Sequence, residues 1–386
     1  MGYTGTTMTP KDEKILKAFK KTGARVATTA RVHLRNKQDL ALYYTPGVGV
    51  ASLHLSKHPK DARDLSVKKN SVAVISDGSA VLGLGNIGPY GALPVMEGKA
   101  LIFKELAGID AWPIVLDTQD PDEIVKTIMA IAPAWGGINL EDIAAPQCFE
   151  IEQKLIKALS IPVMHDDQHG TAIVVLAGLI NASKVVKKKL TSLKIVISGA
   201  GAAGSGTTEL LLSAGITDII LTDRTGTLYV GRKEGMTKHK KELARRTNPR
   251  NVKGDLASAM RGADVFIGLS GKGLLHSAEI KSMAPRSIVF ALANPNPEIM
   301  PDEAKKAGAV VIATGRSDFP NQINNALVFP GVFRGALDNR VEAITTTMQL
   351  KAAKALASLV TKPHATHIVP ETLDKRVVPA IAKSIR

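Results

Sequence analysis

Only one cysteine, Cys148, stands in 386 residues, so no disulfide can form within the chain and the composition points to a reducing compartment. Cys148 follows Pro146 amid apolar residues, where a packing thiol is expected rather than a nucleophile. Aromatic residues make up 4% of the sequence and none interleaves with the basic clusters, which removes the stacking part of a nucleic-acid surface. No apolar run approaches the ~18 residues of a membrane span, the richest being TAIVVLAGLI from Thr171. No secretory leader pattern opens the chain, so the expected compartment is the cytoplasm, with neither a membrane nor a nucleic acid as partner. The opening MGYTGT fits a myristoylation pattern too permissive to carry a reading. A Cys/His cluster is missing as well, which argues against structural zinc.

What is present fits an α/β enzyme of two domains: 386 residues, 45% hydrophobic, with a formal charge of +15. Lys and Arg gather in KVVKKK (184–189) and in 231–246, with acids interspersed. The first cluster ends an apolar helix, where cations complement the helix dipole. The surplus positive field would draw in small dicarboxylates and dinucleotides.

Two pairs of carboxylates, Glu141 with Asp142 and Asp166 with Asp167, close the apolar runs of GINLEDI and IPVMHDD, each read as a short buried strand. Acids converging at one sheet edge repel one another unless a cation lies between them, and oxygen-only ligands suit Mg²⁺ or Mn²⁺. The alternative is that one acid of each pair caps a helix while the other is solvated. WPIVLD supplies a further strand, and the βαβα rhythm implies a parallel sheet with ligands at the carboxyl ends of its strands.

KIVISGAGAAGSGTTELLLSAGITDIILTDR is the most specific stretch. A buried strand leads into Gly199, Gly201 and Gly204, then a helix stopped by Gly215, then a strand ending at Asp223. The three glycines allow a tight turn, approach of backbone amides to a pyrophosphate, and close helix packing. Asp223 would accept the adenosine ribose hydroxyls and favours NAD, while Arg224 beside it leaves NADP open. GADVFIGLS, SIVFALANPNPE and AVVIATG complete the sheet, and Asn294 ends one of its strands.

Ahead of these, Thr9 and Pro10 read as the cap and first residue of a helix with Ile15, Leu16 and Phe19 on one face. Tyr43 and Tyr44 precede a turn at Pro46 and Gly47; a tyrosine there can donate a proton or simply pack. Asp77 and Gly78 suit a two-residue hairpin, and GLGNIG (83–88) reads as a glycine loop followed by Pro89, Gly91 and Pro94, which interrupt a helix. A helix from VMEGKALIFKELAG then carries Lys99 near its N-terminal end, where the dipole and a nearby metal would depress its pKa; otherwise Lys99 is a solvated helix lysine.

YTPGV, SDGSAVLGLGNIGPYGALPVMEGKA, NLEDI, HDDQHGTA, GAGAAG, FALANPNPE and NNALVFPGVFRGAL, in this order over nearly the whole chain, resemble the malic enzyme family in its short prokaryotic form. The resemblance implies an N-terminal α/β catalytic domain at 1–168 and a C-terminal Rossmann-like NAD(P)-binding domain, parallel-sheeted and with a helical tail, at 169–386. It implies Glu141, Asp142 and Asp167 as ligands of Mg²⁺ or Mn²⁺, with Asp166 beside them at the substrate. Lys99 would be the general base and Tyr44 the general acid. Asn294 and Asn325 would touch substrate or nicotinamide, and Gly199, Gly201, Ala202, Ala203, Gly204 and Asp223 would hold the dinucleotide. The implied reaction is oxidative decarboxylation of L-malate to pyruvate and CO₂, in a homodimer. Two departures stand out: Ala80 occupies the position of an arginine that larger eukaryotic members place on the substrate carboxylate, and GLSGKGLL (268–275) lacks a Pro-Gly turn common in the family. Other readings are a non-redox lyase on the same scaffold, an amino-acid dehydrogenase, which the acid pairs oppose, and a basic nucleic-acid module.

Overall fold

The computed structural model describes residues 8–386; the MGYTGT pattern lies outside them. Helices α1 (Pro10–Thr22), α2 (Lys37–Tyr43), α3 (Gly47–Lys57) and α4 (Ala62–Leu65) come first, and none of them buries a residue. Thr9 caps α1 as expected, and Asp12 completes a capping box with it. The apolar face of α1 forms but stays open, Ile15, Leu16 and Phe19 being at least 42% exposed.

Strands and helices then alternate: β1 (Ser71–Ser76), α5 (Gly88–Ala107), β2 (Asp110–Val115), α6 (Pro121–Ile131), β3 (Gly137–Leu140), α7 (Gln147–Ala158) and β4 (Val163–His165). All four strands run parallel in the order β2-β1-β3-β4. The Asp77–Gly78 turn returns no paired strand, because β2 and β3 already occupy both edges of β1. Instead Val81 bridges Gly85, and the loop folds back so closely that a Cβ on Gly78 would lie 2.1 Å from the Gly88 carbonyl oxygen. Helix α5 begins earlier than its prolines suggest. Pro89 falls in the first turn, where a missing N–H breaks nothing, and the helix runs through Pro94. Lys99 therefore lies near the middle of a 20-residue helix, remote from its dipole's positive end.

Helix α8 (Asp166–Val185) starts directly at the second acid pair and runs unbroken past residue 168. The second sheet follows: β5 (Ile195–Ser198), α9 (Ala202–Ser213), β6 (Ile219–Asp223), β7 (Gly226–Thr227), α10 (Lys238–Arg246), α11 (Leu256–Met260), β8 (Val265–Gly268), α12 (Ser277–Lys281), β9 (Ile288–Ala291), α13 (Pro301–Lys306) and β10 (Val311–Thr314). Its order is β10-β9-β8-β5-β6-β7, parallel except for the two-residue β7. Helices α14 (Phe329–Asp338), α15 (Thr346–Ser358) and α16 (Val377–Ser384) end the chain. Helix α14 and the chain after it lie against the first half: Phe103 of α5 meets Phe329 and Phe333 of α14 edge-on at 4.7 and 5.4 Å, and Arg340 pairs with Asp64. One buried core runs from Val72 and Met96 through α8 to Ile195 and Phe290, so α8 is the wall shared by both sheets. Cys148 is fully buried in a second cluster with Ile138 and Leu155, and that burial pushes its thiol pKa up. Among the described residues no helix is long and apolar enough to cross a membrane.

Candidate active site

Glu141 and Asp142 directly follow β3, and Asp166 and Asp167 open α8 directly after β4, its neighbour in the sheet. Parallel pairing thus brings both acid pairs to one carboxyl edge, as expected, although the second pair belongs to the first turn of a helix. There the positive end of the helix dipole favours carboxylates. One oxygen from each of Glu141, Asp142 and Asp167 lies within 4.8 Å of the others. Asp142 adopts φ +54°, a left-handed backbone that is uncommon outside glycine, and its N–H donates to Asp167 Oδ2 at 2.9 Å. The Leu82 N–H from the 79–87 loop donates to Asp142 Oδ1 at 3.1 Å.

These acids are held against their own repulsion. Burial pushes the Glu141 carboxyl well above the usual carboxylate range despite Lys99. Burial and the neighbouring Asp167 push Asp142 up to about 7, and burial raises Asp166. Among the described residues Asp142 Oδ2 and Asp166 Oδ1 are buried without a hydrogen-bond partner, a costly state for an acid oxygen. A set of close, oxygen-only, under-satisfied donors fits a hard divalent cation.

Lys99 is buried and reaches this cluster from α5. Its Nζ lies 3.0 Å from Glu141 Oε1, pairs with Asp166 and sits 4.5 Å from the Phe329 ring centroid. Burial alone would lower its pKa, but Asp166, Glu141 and Asp167 together raise it. The depression expected from a helix terminus is therefore absent, since Lys99 is mid-helix and faces acids. Asn325 joins the same cluster: a Cβ on Gly170 would lie 1.8 Å from Asp166 Oδ1 and 3.1 Å from Asn325 Cβ, so Gly170 is the gap in which the two meet. Its neighbour Asn324 closes a turn instead, accepting from the Ala326 N–H. Tyr44 is not brought in. It ends α2 with 62% of its surface exposed, and among the described residues no hydrogen bond ties it to the cluster.

The glycine loop after β5 is built as its spacing predicts. Gly199 has φ +112° and no room for a Cβ, which would meet the Leu269 carbonyl oxygen at 2.5 Å, and one on Gly204 would meet the Gly199 carbonyl oxygen at 1.8 Å. Gly201, by contrast, faces open space at the start of α9, with Ala202 and Ala203 in the first turn, and leaves the backbone accessible to a ligand. Asp223 ends β6 at the expected place, but it is engaged. Arg232 holds both its oxygens at 2.9 and 2.5 Å and Lys240 adds 2.7 Å. Although burial would raise it, Arg232 and Lys240 hold the Asp223 carboxyl far below the usual range. Asn294 follows β9, with its side chain against Gly315 and its backbone against Gly83 of the first half.

Several supporting groups escape a reading of the sequence. Asn139 donates to Glu141 Oε2 at 3.1 Å. As the one polar residue within the buried strand GINL, two positions before Glu141, it carried a usable signal. Glu152 of α7 accepts from the His165 N–H at 2.6 Å, from Gln168 at 3.2 Å and contacts His169 at 3.0 Å, bracing the start of α8. Nothing in its helical surroundings distinguished it from a surface acid.

Comparison with known proteins bears on this arrangement. Residues 23–156 match the family model described as malic enzyme, N-terminal domain, and residues 168–384 match malic enzyme, NAD binding domain. The NAD-dependent malic enzyme of Geobacillus stearothermophilus is 52% identical over 94% of this chain and 76% of its own length. The bifunctional malic/malolactic enzyme of Bacillus subtilis is 50% identical over 97% and 92%. The crystal structure of the NAD-dependent malic enzyme of Thermotoga maritima superimposes with a TM-score of 0.93 at 44% identity, covering 96% of this chain and 98% of that one.

Proposed function

This chain belongs to the malic enzyme family, and from that premise we propose how its residues carry out the reaction. It oxidatively decarboxylates malate to pyruvate and CO₂ with reduction of NAD(P). The observation that carries the reading is a triad of acids, Glu141 and Asp142 buried and Asp167 half-buried, with the buried Lys99 against it at the carboxyl edge of the first sheet.

Glu141, Asp142 and Asp167 would hold Mg²⁺ or Mn²⁺, with Asp166 next to them. The cation supplies Lewis acidity to the substrate oxygens, and the dinucleotide supplies the hydride acceptor. Lys99 takes the proton of the C2 hydroxyl. It can be neutral only when the negative charge of Glu141, Asp166 and Asp167 is offset, since these acids raise its pKa. Asn325, beside Asp166, and Asn294, after β9, orient substrate and nicotinamide. With Ala80 where larger relatives carry arginine, backbone amides and these asparagines take up substrate-carboxylate recognition. We assign metal and acid–base work to residues 1–168 and dinucleotide binding to residues 169–386.

Tyr44 gives the proton to C3 in the last step, and we place it in the site of a second copy. The support is the surface around it: α1 to α4 bury nothing, and Leu42, Val50 and Leu53 are 62%, 73% and 68% exposed. So many bare apolar side chains mark an association face. Mixing Tyr44→Phe and Lys99→Ala proteins under subunit exchange is expected to regenerate about a quarter of wild-type activity, since half the dimers then own one intact site. No regained activity with exchange demonstrated would place Tyr44 in its own subunit's site.

For the dinucleotide, Asp223 held by Arg232 and Lys240 leaves the adenosine ribose position net positive, which supports acceptance of NADP beside NAD. Arg232→Ala is expected to shift the NADP/NAD ratio of kcat/KM toward NAD by about tenfold, the worth of one charge-assisted hydrogen bond. An unchanged ratio would remove Arg232 from discrimination.

Absorbance at 340 nm with L-malate and Mn²⁺, run with NAD, NADP and added EDTA, tests the reaction itself. Metal-dependent growth with pyruvate as product is expected. A second reading, non-redox conversion of malate, is favoured by the bifunctional malic/malolactic relative, and malate loss without absorbance growth would establish it.

A further inference from the structure

We propose that Glu298 is a positioning residue for the dinucleotide side of the active site: its buried carboxylate fastens the loop after β8 to the loop after β9 and thereby sets the place of Asn294. Glu298 is fully buried. One oxygen accepts from the Ser270 N–H at 3.1 Å and the other from the Ala293 N–H at 3.1 Å. No cation pairs with it among the described residues, so a buried acid is satisfied by backbone amides of two separate loops. Such a charge is costly to bury unless its bonds fix something.

What it fixes lies at the ligand edge of the sheet. Strands β8 and β9 are adjacent, with Gly268 opposite Ala291 at their carboxyl ends. In an open parallel sheet the ligand crevice lies just outside those ends. The fit is tight: a Cβ on Gly268 would lie 2.3 Å from the Glu298 carboxyl carbon and 2.5 and 2.6 Å from its oxygens. Ala293, held by Glu298, is followed by Asn294, whose carbonyl oxygen would lie 2.1 Å from a Cβ on Gly83. Gly83 adjoins Leu82, whose N–H holds Asp142 Oδ1 at 3.1 Å. A continuous set of contacts therefore runs from Glu298 through Asn294 and the 79–87 loop to an acid of the proposed metal cluster. Releasing either loop loosens the alignment of hydride donor and acceptor, which chemistry at that spacing does not tolerate.

The proposal rests on reading Asn294 as a group at the nicotinamide. Glu298→Gln keeps the shape but turns one acceptor into an amide NH₂ facing a backbone N–H. Steady-state rates, reduced-dinucleotide binding by fluorescence and melting temperature would be compared for wild type, Glu298→Gln and Gly268→Ala, which displaces the carboxylate while keeping it. In both variants kcat/KM for the dinucleotide is expected to fall at least tenfold. Reduced-dinucleotide affinity is expected to weaken by a larger factor than KM for malate or the Mn²⁺ activation constant. Wild-type dinucleotide affinity and kcat/KM in a folded Glu298→Gln, or losses spread equally over malate, Mn²⁺ and dinucleotide, would overturn it. If Glu298→Gln does not fold, Gly268→Ala decides by the same readouts. If the wild-type protein does not oxidise malate, the reaction reading fails by itself, and the fluorescence arm still decides on Glu298.

Discussion

Replacing Asp142 with alanine is expected to lower kcat by about a thousandfold and abolish activation by Mn²⁺, a loss of the several kcal/mol that a Lewis acid contributes. Asp142 is the choice among the three acids because its backbone and side chain are both committed. Its N–H is spent on Asp167, one oxygen on the Leu82 N–H, and the other oxygen has no partner among the described residues. The same geometry makes a thermodynamic statement. Asp142 is pushed up to about 7, and Glu141 also lies well above the usual range. The folded protein without metal therefore binds more protons than the unfolded chain between about pH 4 and 7. Its stability falls as pH rises through that window and stays reduced above it. Added Mn²⁺ is expected to raise the melting temperature, by more at pH 7.5 than at pH 5, and to do so in wild type but not in Asp142→Ala. A pH-independent shift, or equal shifts in both proteins, would show that the cation binds elsewhere.

What could be read in advance divides by the range of the physics involved. The loop from Gly199 to Gly204 was legible because its constraints are local: Gly204 is required by a backbone atom a few residues away and Gly199 by the chain leaving an adjacent strand, while Gly201 lies open at the start of α9. The parallel order of the first sheet was legible in its rhythm, since strands joined by helices must pair this way. The acids were legible as chemistry but not as geometry. That Asp166 faces Lys99 depends on α5 starting at Gly88 despite two prolines, and a proline count argues the other way. The clasp on Asp223 comes from Arg232 and Lys240, reached through irregular chain with no period to follow. Glu298 follows the strand read in SIVFALANPNPE, and only the folded sheet shows that its carboxylate spans two strand ends. The apolar face of α1 could be predicted, but not that the other described residues leave it uncovered.

Lys99 offers the sharpest separation of roles. Both Lys99→Ala and Lys99→Arg are expected to lose about a thousandfold in malate oxidation, the usual worth of a positioned general base. The two substitutions fail for different reasons. Alanine removes the cation that, alone among the described residues, pairs with Glu141 and Asp166, leaving buried acids uncompensated, so the metal-free protein is also expected to melt earlier. Arginine restores a positive charge to the cluster but does not release its proton at any working pH. If Lys99 served only to neutralise the acids, Lys99→Arg would recover most of the activity that Lys99→Ala loses. The step assignment can be tested in the same proteins. Decarboxylation of supplied oxaloacetate bypasses removal of the hydroxyl proton and relies on Tyr44 for the proton at C3. Lys99→Arg is therefore expected to keep far more oxaloacetate decarboxylation than malate oxidation, and Tyr44→Phe to lose both. Equal losses of the two activities in Lys99→Arg would mean that Lys99 acts in both half-reactions or orders the site as a whole. Near-normal malate turnover in Lys99→Arg would remove Lys99 as the base altogether.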